Sequence, residues 1–180
     1  MSRRLKRLLA FVFVAVTALV TAVGCTLTVD GNAQRQRPAV PDPGRSYGYV
    51  EDRCGLLLDD TIKELLRADS VVRPYSGAVC QYVLSTSGGL VDVVFSWFDT
   101  GSFERERALA EQRGSRLTDK DVARHPAFLG QRPGNAAACS ATAAAGSGVL
   151  SWWVQFRPQV GQDPCEAAEK LLSATLSADL

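Results

Sequence analysis

One histidine, one methionine and an aromatic share of 8% in 180 residues leave few of the side chains that usually carry chemistry. With His125 alone, the multi-histidine ligand sets of catalytic zinc centres are excluded. No two cysteines lie within four residues of each other, which removes both a preorganised thiolate chelate and a Cys-x-x-Cys redox pair. There is no Gly-x-Ser-x-Gly elbow. The glycine-rich Gly146-Ser147-Gly148 lacks the Lys-Ser/Thr of a phosphate loop and reads as a hairpin turn. Neither sign of charge dominates, with 20 Lys+Arg against 19 Asp+Glu.

That balance conceals an asymmetry. Arg3, Arg4, Lys6 and Arg7 open the chain without an acid, and the uncharged run LLAFVFVAVTALVTAVG follows over residues 8–24. A basic start, an apolar stretch and a small residue at its end are the pattern of an export signal over residues 1–24. The remainder carries 16 basic against 19 acidic side chains, a formal charge of −3. Such a surface does not suit nucleic acid, which needs clustered cations to displace counterions from phosphates.

Ala22-Val23-Gly24-Cys25 resembles a bacterial lipobox, with cleavage before Cys25 and a diacylglycerol on its thiol. Two acyl chains, strengthened by the amide-linked third that some bacteria add, make a firm anchor. The resemblance implies a palmitoylated lipoprotein held on the extracytoplasmic face of the cell membrane. Cleavage to a free secreted protein and retention as an uncleaved helix are the alternatives. The uncharged run is near the roughly 17-residue minimum for a span.

Residues 25–46 read as a flexible tether, because Pro38, Pro41, Pro43 and Gly44 follow a polar stretch with little to bury. Residues 47–180 then form one domain. Leu57, Leu58, Ile62, Leu65 and Leu66 recur at helical spacing and predict a helix over 55–68. Alternation predicts strands over 80–85 and 90–98 around a Ser87-Gly88-Gly89 turn. A short charged surface helix is expected over 103–111, and residues 118–123 suggest another short helix within a loop. A second hairpin over 136–144 and 149–156 precedes a helix that opens at Asp163-Pro164. The class is α+β: an antiparallel sheet of about four or more strands, with helices on one face.

Cys54, Cys80, Cys139 and Cys165 are even in number, and the inferred compartment oxidises thiols, so two disulfides are expected. The pairing stays open. Cys54–Cys80 with Cys139–Cys165 closes two 26-residue separations, whereas Cys54–Cys165 with Cys80–Cys139 joins neighbouring elements instead.

His125, with Asp119 or Asp121 to orient it, is the one candidate base, set against a plain surface loop histidine. No catalytic residue, metal ligand or cofactor is assigned. Trp97, Trp152 and Trp153 form a candidate binding surface, since adjacent tryptophans in a strand point to opposite faces.

The lipobox, the polar tether, Cys54-Gly-Leu-Leu, Cys80-Gln-Tyr and Asp163-Pro-Cys165-Glu-Ala-Ala together resemble a family of small actinobacterial lipoproteins, domain of unknown function 3558. The resemblance implies an envelope location and brings no catalytic residues. The expectation is a non-catalytic binding or accessory module for an envelope protein, lipid or glycan. A secreted hydrolase or a structural component of an envelope assembly is the alternative.

Overall fold

Alternation of buried and exposed residues along its strands gives this chain a sheet with two distinct faces. The computed structural model describes residues 40–158 and 161–178, so the signal segment 1–24, Cys25 and most of the tether lie outside the described residues. A two-stranded ribbon of β1 (Tyr49–Val50) and β2 (Arg53–Cys54) leads into helix α1 (Asp59–Leu65). Strands β3 (Ser70–Tyr75), β4 (Val79–Thr86) and β5 (Gly89–Phe98) follow, then α2 (Phe103–Gln112). Strands β6 (Arg116–Val122), β7 (His125–Gln131), β8 (Ala138–Ala145) and β9 (Gly148–Arg157) precede the last described helix, α3 (Pro164–Ser177). The seven strands β3 to β9 form one antiparallel sheet in the order β3-β4-β5-β9-β8-β7-β6.

The expected α+β architecture with two disulfides is what the structure has. One face carries the main core: Tyr82 and Leu84 of β4, Val93 and Phe95 of β5, Trp152 and Val154 of β9, and the alanines 141, 143 and 145 of β8. Those alanines leave room for α3 to lie close, with Leu171 and Leu172 buried against them. Trp152 is fully buried, its ring centroid 4.9 Å from that of Phe95, and its indole Nε1–H donates to Thr175 Oγ1 of α3 at 2.9 Å. The polar edge of the aromatic is thus satisfied inside the core, as burial requires. Asp163 caps α3 by accepting from the Cys165 amide at 2.8 Å, with Pro164 in the first turn.

Helices occupy both faces. α1 and α3 lie on the main core, but Phe103 at the start of α2 packs on the reverse side with Phe128, Ala144 and Val149. Phe103 and Phe128 ring centroids are 5.5 Å apart.

The disulfides are Cys54–Cys80 and Cys139–Cys165, with Cα separations of 6.3 and 4.9 Å. Each pins the chain just before or within a helix to a strand beneath it.

The expectations over residues 55–68 and 118–123 change. The helix predicted over 55–68 is confined to Asp59–Leu65, because Gly55 and Leu56 turn through positive φ. A Cβ on Gly55 would lie 2.7 Å from the Phe95 ring, so the chain turns there on glycine. Its tail is followed by β3, an edge strand that Pro74 disguises in the sequence. The helix suggested over 118–123 is instead strand β6, paired with β7 through a two-residue turn in which Ala123 and Arg124 both have positive φ.

Candidate functional site

The reverse face of the sheet is only partly covered, and a groove of about 470 Å³ lies where α2 stands beside it. Its floor follows from strand register. Ser96 of β5 sits opposite Ser151 of β9, which sits opposite Thr142 of β8, which sits opposite Phe128 of β7. The next row along the strands is Val94, Trp153, Ser140 and Gly130. All eight share one face because directly paired residues in an antiparallel sheet project to the same side.

Small side chains make the surface concave. Ser140 Oγ donates to the Gly130 carbonyl at 3.3 Å, and a Cβ at position 130 would approach that hydroxyl to 2.9 Å. Thr142 and Ser151 share a hydrogen bond at 2.9 Å between their hydroxyls. Arg113, the residue that closes α2, and Arg132 and Asn135, from the turn after β7, line the groove's rim. Neither guanidinium forms a salt bridge or a side-chain hydrogen bond among the described residues, and Ser96 Oγ likewise has no partner there. Trp153 is half-buried and lines the same groove.

The three tryptophans therefore separate. Trp152 is fully buried and Trp97 is 8% exposed, packed with Tyr47 at 5.7 Å between ring centroids. Both are core, and only Trp153 lines the open face. The opposite orientation of the two adjacent tryptophans follows from their register, Trp152 against Phe95 and Trp153 against Val94.

His125 is not a surface loop residue. It begins β7, is 2% exposed, and lies 3.0 Å by Nε2 from Asp42 Oδ1 and 2.9 Å by Nδ1 from the Ala123 carbonyl. The imidazolium form donates to both. Its carboxylate partner is Asp42, whereas Asp119 pairs with Arg107. Asp42 also accepts from the Tyr47 hydroxyl and from the Gly146 amide at 3.3 Å. Partial burial alone would raise the Asp42 carboxyl, but the hydrogen bonds from Tyr47, His125 and Gly146 outweigh it and hold the group below its ordinary value. Burial and the neighbouring Asp42 push the Tyr47 phenol upward. With both ring nitrogens engaged and no nucleophile in the cluster, its evident work is to hold residues 42–47 on the domain. Arg45 adds a hydrogen bond to the Ala178 carbonyl beyond α3. The last part of the segment read as a tether is thus seated on the fold.

A second cluster surrounds Arg73. It pairs with Asp52 and, at 3.4 Å, with Asp59, joining the β1–β2 ribbon and α1 to β3. Burial raises the Asp59 carboxyl despite the Arg73 charge. Tyr82 lies under this cluster, and burial raises its phenol too. These contacts join elements rather than open a site.

The sequence marks the groove's floor faintly, as Ser140 and Thr142 two apart in β8 and single serines, Ser96 and Ser151, in β5 and β9. It does not mark the rim, because Arg113 and Arg132 are brought there by α2 and by the turn after β7. Among the described residues no three or more His, Cys, Asp or Glu side chains are placed to hold a metal ion.

No curated protein and no solved structure matches the chain. Residues 20–178 match the profile described as protein of unknown function DUF3558, a span that takes in every described strand and helix, and the chain belongs to that family.

Proposed function

We propose that this protein is an envelope lipoprotein, anchored by acyl groups on Cys25, that binds a ligand in the groove on the reverse face of its sheet. The observation that carries the reading is that groove: a concavity of about 470 Å³ with an open tryptophan and guanidiniums whose side chains bond to nothing else described. Its volume falls within the roughly 300–1,000 Å³ range of small-molecule sites. The position of Trp153 in it supports a binding role, and the burial of His125 counts against that histidine acting as a hydrolytic base.

The anchor suits such a role. Fourteen residues lie between Cys25 and Val40, and the fifteen Cα–Cα steps span at most about 50 Å. Val40 packs beside Phe103 and Phe128, so the chain enters the domain near one end of the groove.

The test has two parts. In the native cell, palmitate labelling and membrane fractionation of the wild-type protein are compared with Cys25→Ser. Labelling and membrane retention should both be lost in the variant, and an unlabelled wild-type protein in the cytosol overturns the anchor. Ser96→Phe then fills the groove floor without removing an internal hydrogen bond. Envelope material retained by the wild type and lost in Ser96→Phe supports the site. Equal retention by both proteins removes the groove from the function.

A further inference from the structure

The chemistry of the groove restricts its occupant. A sugar ring presents C–H groups on its faces and hydroxyls around its edge, so it is held by a flat aromatic surface beside short polar side chains. Trp153 provides the aromatic, with the hydroxyls of Ser96, Ser140, Thr142 and Ser151 spread over the adjoining strands. The Trp152 indole N–H is consumed by Thr175, but that of Trp153 has no partner among the described residues.

Arg113 and Arg132 add the second requirement. Among the described residues Arg53, Arg73, Arg107 and Arg157 pair with acids, while Arg67, Arg105, Arg116 and Arg124 form no salt bridge at other places on the domain. The two groove arginines have no acid of this kind, although Glu106 lies on the same lining. Planar guanidiniums without protein partners suit a carboxylate or phosphate, which they bind through paired N–H donors.

Other occupants fit less well. A peptide bound as a β-strand adds to a free sheet edge. The groove floor lies on strands β5, β9, β8 and β7, which are paired on both sides. An acyl chain wants an enclosed apolar cavity, whereas this groove is open and the hydroxyls of Ser96, Ser140, Thr142 and Ser151 interrupt its floor.

We infer that the groove binds an acidic saccharide, with a sugar ring against Trp153 and the hydroxyl floor and its carboxylate or phosphate between Arg113 and Arg132. This rests on the reading of the groove as the binding site and names its ligand class.

The test is calorimetric titration of the full-length protein in detergent, together with tryptophan fluorescence. The probes are digalacturonate, glucose 1-phosphate, the neutral disaccharide galactobiose and inorganic phosphate. An acidic sugar should bind and shift the emission of the wild type but not of Trp153→Phe. Galactobiose should bind at least about tenfold more weakly, and Arg113→Gln/Arg132→Gln should lose a similar factor for the acidic sugar. Circular dichroism establishes that each variant is folded. Which acidic sugar binds distinguishes a carboxylated from a phosphorylated ligand. Galactobiose binding as tightly as digalacturonate overturns the inference, as does inorganic phosphate binding as tightly as glucose 1-phosphate. So does failure of both acidic sugars to bind. If they fail while Ser96→Phe still abolishes retention of envelope material, the binding-site reading survives and only the ligand class falls. If retention is also unaffected, both fall.

Discussion

His125 Nε2 stands 3.0 Å from the Asp42 carboxylate, and the two residues are 83 positions apart in the chain. The pair is 3% and 21% exposed at its side chains, with Tyr47 and the Gly146 amide completing the carboxylate's partners. The contact closes the segment that leads into the domain onto the β6–β7 and β8–β9 turns. It matters for placement, because Val40, two residues before Asp42, packs by the groove.

Removing this carboxylate should loosen that junction. Asp42→Ala leaves the buried His125 ring and the Tyr47 hydroxyl without their acceptor, and a loss of about 2–3 kcal/mol is expected in urea unfolding. The pH dependence has a definite sign. The Asp42 carboxyl titrates below its ordinary value of 3.8 in the folded chain, so its contribution is complete above that value and fades as pH falls through the folded one. Asp42→Asn should therefore flatten the decline of Tm below about pH 4 relative to wild type. An unchanged acid profile would show that Asp42 is not held in this way.

Gly146 is the structural counterpart of that contact. It has φ +50°, and a Cβ there would sit 1.9 Å from the Arg45 carbonyl oxygen. Gly146→Ala must displace residues 42–45 as well as strain the turn, and should cost about 2 kcal/mol or more. Gly134→Ala, at φ +82° with nothing within 4 Å, pays only for backbone conformation and should cost about 1 kcal/mol. Because Gly146 and Asp42 serve the same junction, the double variant with Asp42→Ala should lose less than the two single losses combined. Full additivity in a double-mutant cycle would mean the two sites are independent.

Much of this architecture is legible from alternation alone. Residues 80–98 and 149–156 show a clean two-residue period, and the Asp163-Pro164 start of α3 is a strong cap signal. What escapes is informative. β6, with the sequence Arg-Leu-Thr-Asp-Lys-Asp-Val, is a charged edge strand whose pattern has no apolar face, and its turn uses Ala123-Arg124 rather than the Asn-Gly that announces positive φ. His125 looks exposed because its neighbours are Arg124 and Pro126, and its carboxylate partner comes from a stretch whose prolines suggest a linker. The groove is hidden for a related reason. Its floor residues read as an ordinary solvated face until α2 is seen to stand beside them.

Each disulfide closes a 26-residue separation, worth about 3–4 kcal/mol by loop entropy. The Cys139→Ser/Cys165→Ser protein frees the start of α3 from β8 and should unfold at correspondingly lower urea. Peptide mapping without reduction should recover Cys54 linked to Cys80 and Cys139 linked to Cys165. Recovery of Cys54 linked to Cys165 would contradict the pairing and the placement of α3.

Trp152 and Trp153, adjacent in sequence, should behave as opposites. Trp152 fills the centre of the core and donates to Thr175, so Trp152→Ala should cost about 3–5 kcal/mol, near the whole stability of a small domain. Trp152→Phe keeps part of the volume but orphans the Thr175 hydroxyl, and should fall between Ala and wild type. Trp153 is half-buried on the groove face, so Trp153→Ala should cost about 1 kcal/mol or less while emptying the aromatic wall of the site. Thermal unfolding separates the two effects, and acrylamide quenching should reach Trp153 far more readily than Trp152. A Trp153→Ala protein destabilised as severely as Trp152→Ala would place both rings in the core. The face of β9 assigned to ligand would then be closed.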